Sequence, residues 1–240
     1  MRTRDTRAQD GFTLVELSIV LIIIGLLIGG ILKGQELIRN AQSKSLIAQL
    51  DAYRTANNGF LDKYGQYPGD FSRASALLAP KQDGSPQIDG DGNGRVDGQG
   101  NDAESLEYWQ HLAAADLVAG INGITPVPGV GIPVGRLPGS AWNALSARGD
   151  NDGLCPDCTL RGNYWRLGAP DPSALTTMAL MPADESYLLD AKIDDGKPTT
   201  GLMQAGQGGG GPGEPCQENG EYATADARGS DPSCLLGFMF

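Results

Sequence analysis

Phe12-Thr13-Leu14-Val15-Glu16-Leu17-Ser18-Ile19-Val20-Leu21-Ile22-Ile23-Ile24-Gly25-Leu26-Leu27-Ile28-Gly29-Gly30-Ile31-Leu32 carries one charge in 21 residues, the carboxylate of Glu16. As a helix rising 1.5 Å per residue the run spans about 31 Å, close to the ~30 Å hydrocarbon core of a bilayer, and so predicts one membrane-spanning helix. A carboxylate is costly in hydrocarbon and marks a functional position there. Glu16 therefore needs a partner.

The flanks give the span a direction. Arg2, Arg4 and Arg7 outweigh Asp5 and Asp10 in front, whereas Lys33, Glu36 and Arg39 follow with a more even balance. The positive-inside bias puts residues 1–11 in the cytoplasm and everything after Lys33 outside. A secretory signal would place small residues at a cleavage site behind the apolar run, but Gly30-Ile31-Leu32-Lys33 has no Ala-x-Ala pattern. The small residue stands in front, at Gly11, so the anchor is expected to stay attached.

Good helix formers continue past the bilayer length, with no proline from Phe12 to Tyr67. The expectation is one helix of about 50 residues, roughly 78 Å long, membrane-spanning over 12–33 and amphipathic over 34–66. Leu46, Leu50, Tyr53, Phe60, Leu61 and Tyr64 fall in one stripe at about 100° per residue, with Lys44, Asp51 and Asn58 elsewhere. That stripe is expected to hold a globular domain over residues 67–240, and Gly65 with Pro68 to end the helix. Gly25-x-x-x-Gly29 and Gly30-x-x-x-Gly34 place small residues where another backbone can approach, although glycine is common in membrane helices.

The exterior part is acidic. The chain has a formal charge of -11, and loss of residues 1–11, with three arginines and two aspartates, moves it to -12. This balance lacks the basic footprint of a general nucleic-acid-binding surface. About 175 residues beyond the helix suffice for one modest core, and 35 glycines in 240 residues point to long loops between its elements.

The most informative loop is Asp89-Gly90-Asp91-Gly92-Asn93-Gly94-Arg95-Val96-Asp97-Gly98-Gln99-Gly100-Asn101-Asp102-Ala103-Glu104. Its opening matches the start of a calcium loop, with side-chain oxygens at alternate positions, a glycine for the sharp turn and an apolar residue in the eighth place. Asp89, Asp91, Asn93, Asp97 and the Arg95 carbonyl are candidate ligands. The twelfth place is Gly100 and not the bidentate glutamate of an EF-hand, so Asp102 or Glu104 would have to close the site. The competing reading is a solvated acidic turn that caps the next helix. That helix is expected over 102–119, with Asn101 as N-cap, Glu104 reaching back as in a capping box, and Gly120 as the stop. Leu106, Trp109, Leu112 and Ala113 would form its apolar face. His111, the chain's one histidine, reads as an incidental polar residue and not a catalyst, because no second base or nucleophile accompanies it.

Residues 121–138 read as a long surface loop or short edge strands. Trp142 and the pair Tyr164-Trp165 read as anchors of a small sheet, with a strand over 161–167. Pro182 opens a short helix carrying Leu188, Leu189 and Ile193, which Gly196 ends. Gln207-Gly208-Gly209-Gly210-Gly211-Pro212-Gly213 is a flexible loop. The apolar stretch 234–240 is expected to close the sheet as its last strand, being too short to cross a membrane as a helix.

Gly11-Phe12-Thr13-Leu14-Val15-Glu16 followed by an apolar helix resembles the cleavage and methylation segment of type IV prepilins and pseudopilins. The resemblance is specific over about residues 8 to 67 and weaker beyond. It implies that a membrane-embedded peptidase cuts between Gly11 and Phe12, that the new amine of Phe12 is methylated, and that Glu16 guides assembly into a helical filament. The freed amine of one subunit and the Glu16 carboxylate of a neighbour can neutralise each other, a buried pair better suited to fixing register than to adding stability. Some relatives have a proline in this helix at the place where this chain has Lys33. Some pilins and pseudopilins also bind calcium in a loop of the globular domain. The segment from Asp190 to Gly201 is similar to one found in large pilin-like proteins, with no chemical role attached to it.

The four cysteines, Cys155, Cys158, Cys216 and Cys234, fall in the exported region, where disulfides are favoured. Three pairings are open. Cys155 and Cys158 are local enough to close on each other, leaving Cys216 with Cys234 in a loop that resembles the disulfide-bounded region of many pilins. A redox-active Cys-x-x-Cys lacks a thioredoxin-like context, and a four-cysteine zinc site lacks a second close pair.

The sequence thus predicts an α+β, pilin-like subunit, a long N-terminal helix packed against a small antiparallel sheet with loop insertions. No enzyme is expected. The first functional expectation is a major or minor pilin of a type IV pilus, used in adhesion, motility or uptake. The alternatives are a pseudopilin of type II secretion and a non-polymerising, membrane-anchored calcium-binding adhesive domain. The expected partners are the prepilin peptidase and methylase, other copies and related pilins, an inner-membrane assembly platform, and lipid before assembly. The expected location is the bacterial inner membrane, with the globular domain periplasmic, followed by an extracellular pilus or a periplasmic pseudopilus.

Overall fold

The computed structural model describes residues 13–98, 104–123, 125–147, 154–155, 158–171, 176–209, 215–224 and 231–240, and the chain divides after Lys44 into two units. Helix α1 (Leu14–Tyr64) supplies the described part of the first unit and continues into the second. In the first unit its apolar side chains are uncovered, with Leu14, Leu21 and Leu26 at 87%, 69% and 73% exposure. The helix is long and apolar enough to cross a membrane. It ends where the sequence places the stop, because Gly65 adopts φ +74° and donates its N–H to Leu61 O at 2.8 Å, a left-handed terminus that glycine enters without a Cβ penalty.

From Ser45 onward α1 carries the core of the second unit. Leu46, Leu50, Tyr53 and Phe60 are buried, joined by Ala56 and Asn57, while Leu61 and Tyr64 are only half-buried. Spacing explains the difference. Leu46, Leu50, Tyr53, Asn57 and Phe60 step alternately by four and three along one face, and Leu61 lies about 100° past it. Asn57 is satisfied there, since Tyr108 OH donates to its Oδ1 at 3.0 Å.

Two further helices follow, α2 (Ala74–Leu77) and α3 (Glu104–Ala114). The described helix α3 stops before the expected end at residue 119, while Asn101 and Asp102 lie outside the described residues. Asp116 takes φ +59° and donates its N–H to Ala113 O, and Leu117 N–H reaches Leu112 O, both at 3.0 Å. These are the two bonds of a Schellman terminus, here with aspartate in the position glycine usually holds.

The sheet is antiparallel throughout. Strands β1 (Ala141–Ala147), β2 (Gly162–Gly168), β3 (Met203–Gln207) and β6 (Cys234–Met239) lie in the order β1-β2-β6-β3. The last strand in the chain is therefore internal, with Phe238 facing Trp165 on one side and Met203 on the other. A separate hairpin joins β4 (Gln217–Glu218) to β5 (Glu221–Tyr222). The described part of 121–138 makes turns with isolated bridges, Pro128 to Ile132 and Val134 to Ala141. Helix α4 (Ala183–Ile193) starts after Pro182.

Both faces of the sheet are covered. Trp142, Ala144, Trp165, Leu167, Leu236 and Phe238 join α1 and α3 in the main core. Leu145, Tyr164 and Leu235 pack with Leu154 and Leu160 in a smaller one. At the centre of the main core the Tyr53 ring lies 5.0 Å from Trp109, 5.5 Å from Trp142 and 6.4 Å from Trp165, centroid to centroid. Edge-to-face contacts of this kind add to what burial alone provides. The long helix with a small antiparallel sheet is an α+β, pilin-like arrangement.

Candidate functional site

The first turn of α1 holds Glu16. Thr13 donates its N–H and its Oγ1 hydroxyl to Glu16 Oε2, both at 2.8 Å, and Glu16 N–H returns a bond to Thr13 Oγ1 at 3.2 Å. This is a capping box, Thr-x-x-Glu, in which side chain and backbone satisfy each other at the helix start. A negative group is also favoured there by the helix dipole. Gly11 and Phe12 lie outside the described residues. Further along, a Cβ built at Gly25, Gly29, Gly30 or Gly34 meets nothing within 4 Å, so nothing in the single chain requires glycine at these positions.

The acidic loop is rearranged relative to the expected calcium loop. Asp89 turns to the first turn of α2, where it accepts Ser75 N–H at 2.7 Å and Ser75 Oγ–H at 3.0 Å. Asp91 and Glu104 instead converge with Asp70, each offering a carboxylate oxygen within 4.8 Å of the other two. Asp70 binds the loop backbone, accepting Asn93 N–H at 2.9 Å and Gly94 N–H at 2.8 Å. Glu104 accepts Asp91 N–H at 3.0 Å and Asp97 N–H at 2.8 Å, so its carboxylate reaches the loop backbone. Asn93 stays at the surface and bonds within the loop, its Nδ2 donating to Asp91 Oδ2 at 2.8 Å and to Asp97 Oδ2 at 3.2 Å, while its Oδ1 accepts Arg95 N–H at 2.8 Å. Asn163 on β2 ties the loop to the sheet by accepting Val96 N–H at 3.0 Å and donating to Gly94 O at 3.1 Å. Asp102 lies outside the described residues.

Charge in this cluster is held at a cost. Burial pushes the Asp70 carboxyl upward, opposed by the N–H of Gly94, with Asp91 adding to the rise. Burial likewise raises Glu104, and the charges of Asp70 and Asp91 push the same way. Sequence spacing does not reveal Asp70, which lies before the loop in Pro68-Gly69-Asp70. The signal that could have found it is that turn, where Gly69 takes φ +82°, together with Gly90, whose added Cβ would lie 2.4 Å from the backbone of Gly69 and Asp70. These two glycines permit the strands of chain to touch.

His111 is structural and not incidental. It is fully buried, accepts Gly69 N–H on Nδ1 at 2.9 Å, and therefore carries its proton on Nε2, which reaches Ile88 O at 2.9 Å. Burial lowers it to about 4, so the ring is neutral. One ring thus pins the segment ahead of Asp70 to the segment ahead of Asp89. On the same helix Glu107 forms a buried ion pair with Lys81 at 2.7 Å.

Disulfides join Cys155 to Cys158 and Cys216 to Cys234. The second holds the start of β6 beside the chain leading into β4.

Residues 6–32 match the family model described as the prokaryotic N-terminal methylation motif. The match covers Gly11, Phe12 and Glu16 together with the apolar run. No curated protein and no solved structure matches the chain.

Proposed function

We propose that this chain, which carries the hallmark of type IV pilin and pseudopilin precursors, is a structural subunit of a type IV pilus. The observation that carries the reading is the methylation motif at residues 6–32 placed on an uncovered apolar helix whose first turn contains Glu16. The motif implies processing by a prepilin peptidase and assembly with other pilins. Cleavage after Gly11 leaves an ammonium at Phe12, which is then methylated. Residues 12–33 hold the precursor in the inner membrane with residues 1–11 cytoplasmic, and residues 67–240 form the periplasmic domain. An assembly platform in that membrane then draws the helix from lipid into the filament, where the apolar side chains exposed in the single chain are covered by neighbouring copies.

Charge supplies the register. The Phe12 ammonium and a neighbour's Glu16 carboxylate are each unfavourable in an apolar core, and together they satisfy one another. Mass spectrometry of surface-exposed protein is expected to show a chain that begins at N-methylated Phe12. Retention of residues 1–11 on that material overturns the reading. Recovery in sheared surface filaments supports the pilus. A subunit that stays periplasmic, and whose loss blocks export of a folded enzyme, would be a pseudopilin of type II secretion.

A second reading concerns the loop of 89–104. We infer that Asp70, Asp91 and Glu104 together hold a calcium ion, favoured by the approach of three hard oxygen ligands to within 4.8 Å. Such an ion would fasten the loop to the turn at Pro68-Gly69-Asp70 and to the start of α3. Calcium is expected to raise the melting temperature of the full chain and chelation to lower it, an effect lost in Asp91→Asn. An unchanged melting temperature sinks this reading without touching the first.

A further inference from the structure

Lys81 and Glu107 serve neither the assembly helix nor the acidic loop, yet they meet in the interior. Lys81 Nζ lies 2.7 Å from Glu107 Oε1, with 5% of one side chain and 4% of the other exposed. The segment that carries Lys81 is closed on itself. Lys81 N–H donates to Ser85 O at 2.8 Å, Gly84 N–H to Lys81 O at 2.9 Å, and Gln87 Nε2 to Ala79 O at 2.9 Å. Glu107 is fixed by its place in α3, so backbone structure holds both ends of the contact.

As ions the two groups are poorly satisfied. The attraction of buried opposite charges offsets their desolvation only when further hydrogen bonds take up the remaining protons and lone pairs. Here Glu107 Oε2 is buried without a hydrogen-bond partner, and among the described residues Nζ donates to Glu107 alone. His111 Nε2 stands 3.9 Å from Oε2, beyond hydrogen-bond reach. The His111 ring is itself flanked by Phe60 and Phe71, at 6.3 and 6.5 Å between centroids. An amide in place of the two charges would remove the orphaned oxygen and both desolvation penalties.

We propose that Lys81 and Glu107 condense to an intramolecular amide, which cross-links the segment of residues 79–88 to α3. The ion pair already contains every atom of the reaction. One proton passes from the Nζ ammonium to the carboxylate, giving an amine and a carboxylic acid, uncharged forms that an interior accommodates at less cost. The Nζ lone pair attacks Cδ, which lies one bond beyond Oε1 at about the 3–3.5 Å of a near-attack arrangement. The Nζ–Cδ bond forms and the Cδ–Oε2 bond breaks. Oε2 leaves as water with two of the three ammonium protons, and the third stays on the amide nitrogen. No oxidant, cofactor or second substrate enters. Fixed proximity drives the step, since effective molarities in well-oriented intramolecular reactions reach ~10⁵–10⁸ M. The product joins residues 26 apart and restricts the unfolded chain as a disulfide does, but a reductant does not open it. The linkage depends on neither the pilus reading nor bound calcium.

The test is peptide mapping by mass spectrometry of the full chain, purified in detergent and then fully denatured and reduced. Denaturation dissolves an ion pair and leaves an amide intact. The expected result is a branched peptide that contains both Lys81 and Glu107 and is one water lighter than its two parts, with tryptic cleavage after Lys81 lost. Lys81→Arg, which keeps a positive charge beside Glu107, is expected to yield the two peptides separately at full mass, and Glu107→Ala to do the same. Cleavage after Lys81 in the parent chain, with both peptides unlinked, overturns the proposal, and that result requires no variant to fold. A branched peptide that persists in Lys81→Arg overturns it as well, because the link then lies elsewhere.

Discussion

In the single chain Glu16 closes its own helix, with Thr13 N–H and Oγ–H both aimed at Oε2. Its charge is a separate property from its shape, and the two can be parted. Glu16→Gln keeps an acceptor for Thr13 but offers no charge to a Phe12 ammonium. Its helix content by circular dichroism should match the parent, while its recovery in filaments falls sharply. Filaments as abundant as the parent's would show that the charge is dispensable. His111 gives a second prediction at this scale. Its acceptor bond from Gly69 N–H requires a neutral ring, and burial holds it at about 4 against 6.5 for the free residue. Because the unfolded chain takes up this proton first, the stabilising contribution is complete above pH 6.5 and is lost as the pH falls toward 4. The loss amounts to about 3 kcal/mol. Denaturant titrations of the full chain at pH 7 and pH 4, compared with His111→Gln, should show a steeper acid loss in the parent. Equal slopes would remove the histidine from the account.

Among the elements, glycine positions separate local propensity from close packing. Gly59 lies inside α1, and an added Cβ would meet Leu117 Cδ2 at 3.8 Å, an ordinary contact. Gly59→Ala is expected to stabilise the chain by about 0.4–1 kcal/mol through helix propensity. Gly90→Ala would press on the backbone of Gly69 and Asp70 and is expected to destabilise by about 1–3 kcal/mol. Thermal melts of the two variants should move in opposite directions. The same contrast shows what a sequence reader can see. The stripe of α1, the strands around Trp142 and Trp165, and the helix after Pro182 were legible because each has a periodicity or a terminal signal of its own. Strand β3, Met-Gln-Ala-Gly-Gln, has neither, and becomes a strand because β6 and the turn before it supply its partners. The β4–β5 hairpin did leave a signal, since Asn219 and Gly220 both take positive φ, +53° and +79°, the preference of a type I′ turn. The candidate cation cluster was half legible. Asp91 and Glu104 stand in the acidic run, but Asp70 arrives through a contact between distant segments that no spacing rule encodes.

At the scale of the whole molecule, the sheet of the second unit depends on covalent and non-covalent ties at one strand. β6 lies between β2 and β3, so Leu236 and Phe238 contribute to the main core while the backbone completes two ladders. Cys234 begins that strand and is bonded to Cys216, 18 residues away. The Cys155–Cys158 bond closes a separation of only 3. A cross-link that restricts a longer stretch of the unfolded chain removes more of its freedom, and in the chain-entropy account the stabilisation grows with loop length. The pair Cys216→Ser and Cys234→Ser should therefore cost about 2–4 kcal/mol, with exposure of the aromatic core read as a red shift of tryptophan emission at lower denaturant. The pair Cys155→Ser and Cys158→Ser should cost less, because that bond closes a much shorter loop and touches neither end of β6. The order of the two midpoints is the decisive measurement. If the short loop proves the more stabilising, loop length does not rank the two cross-links, and the chain-entropy account fails for this unit.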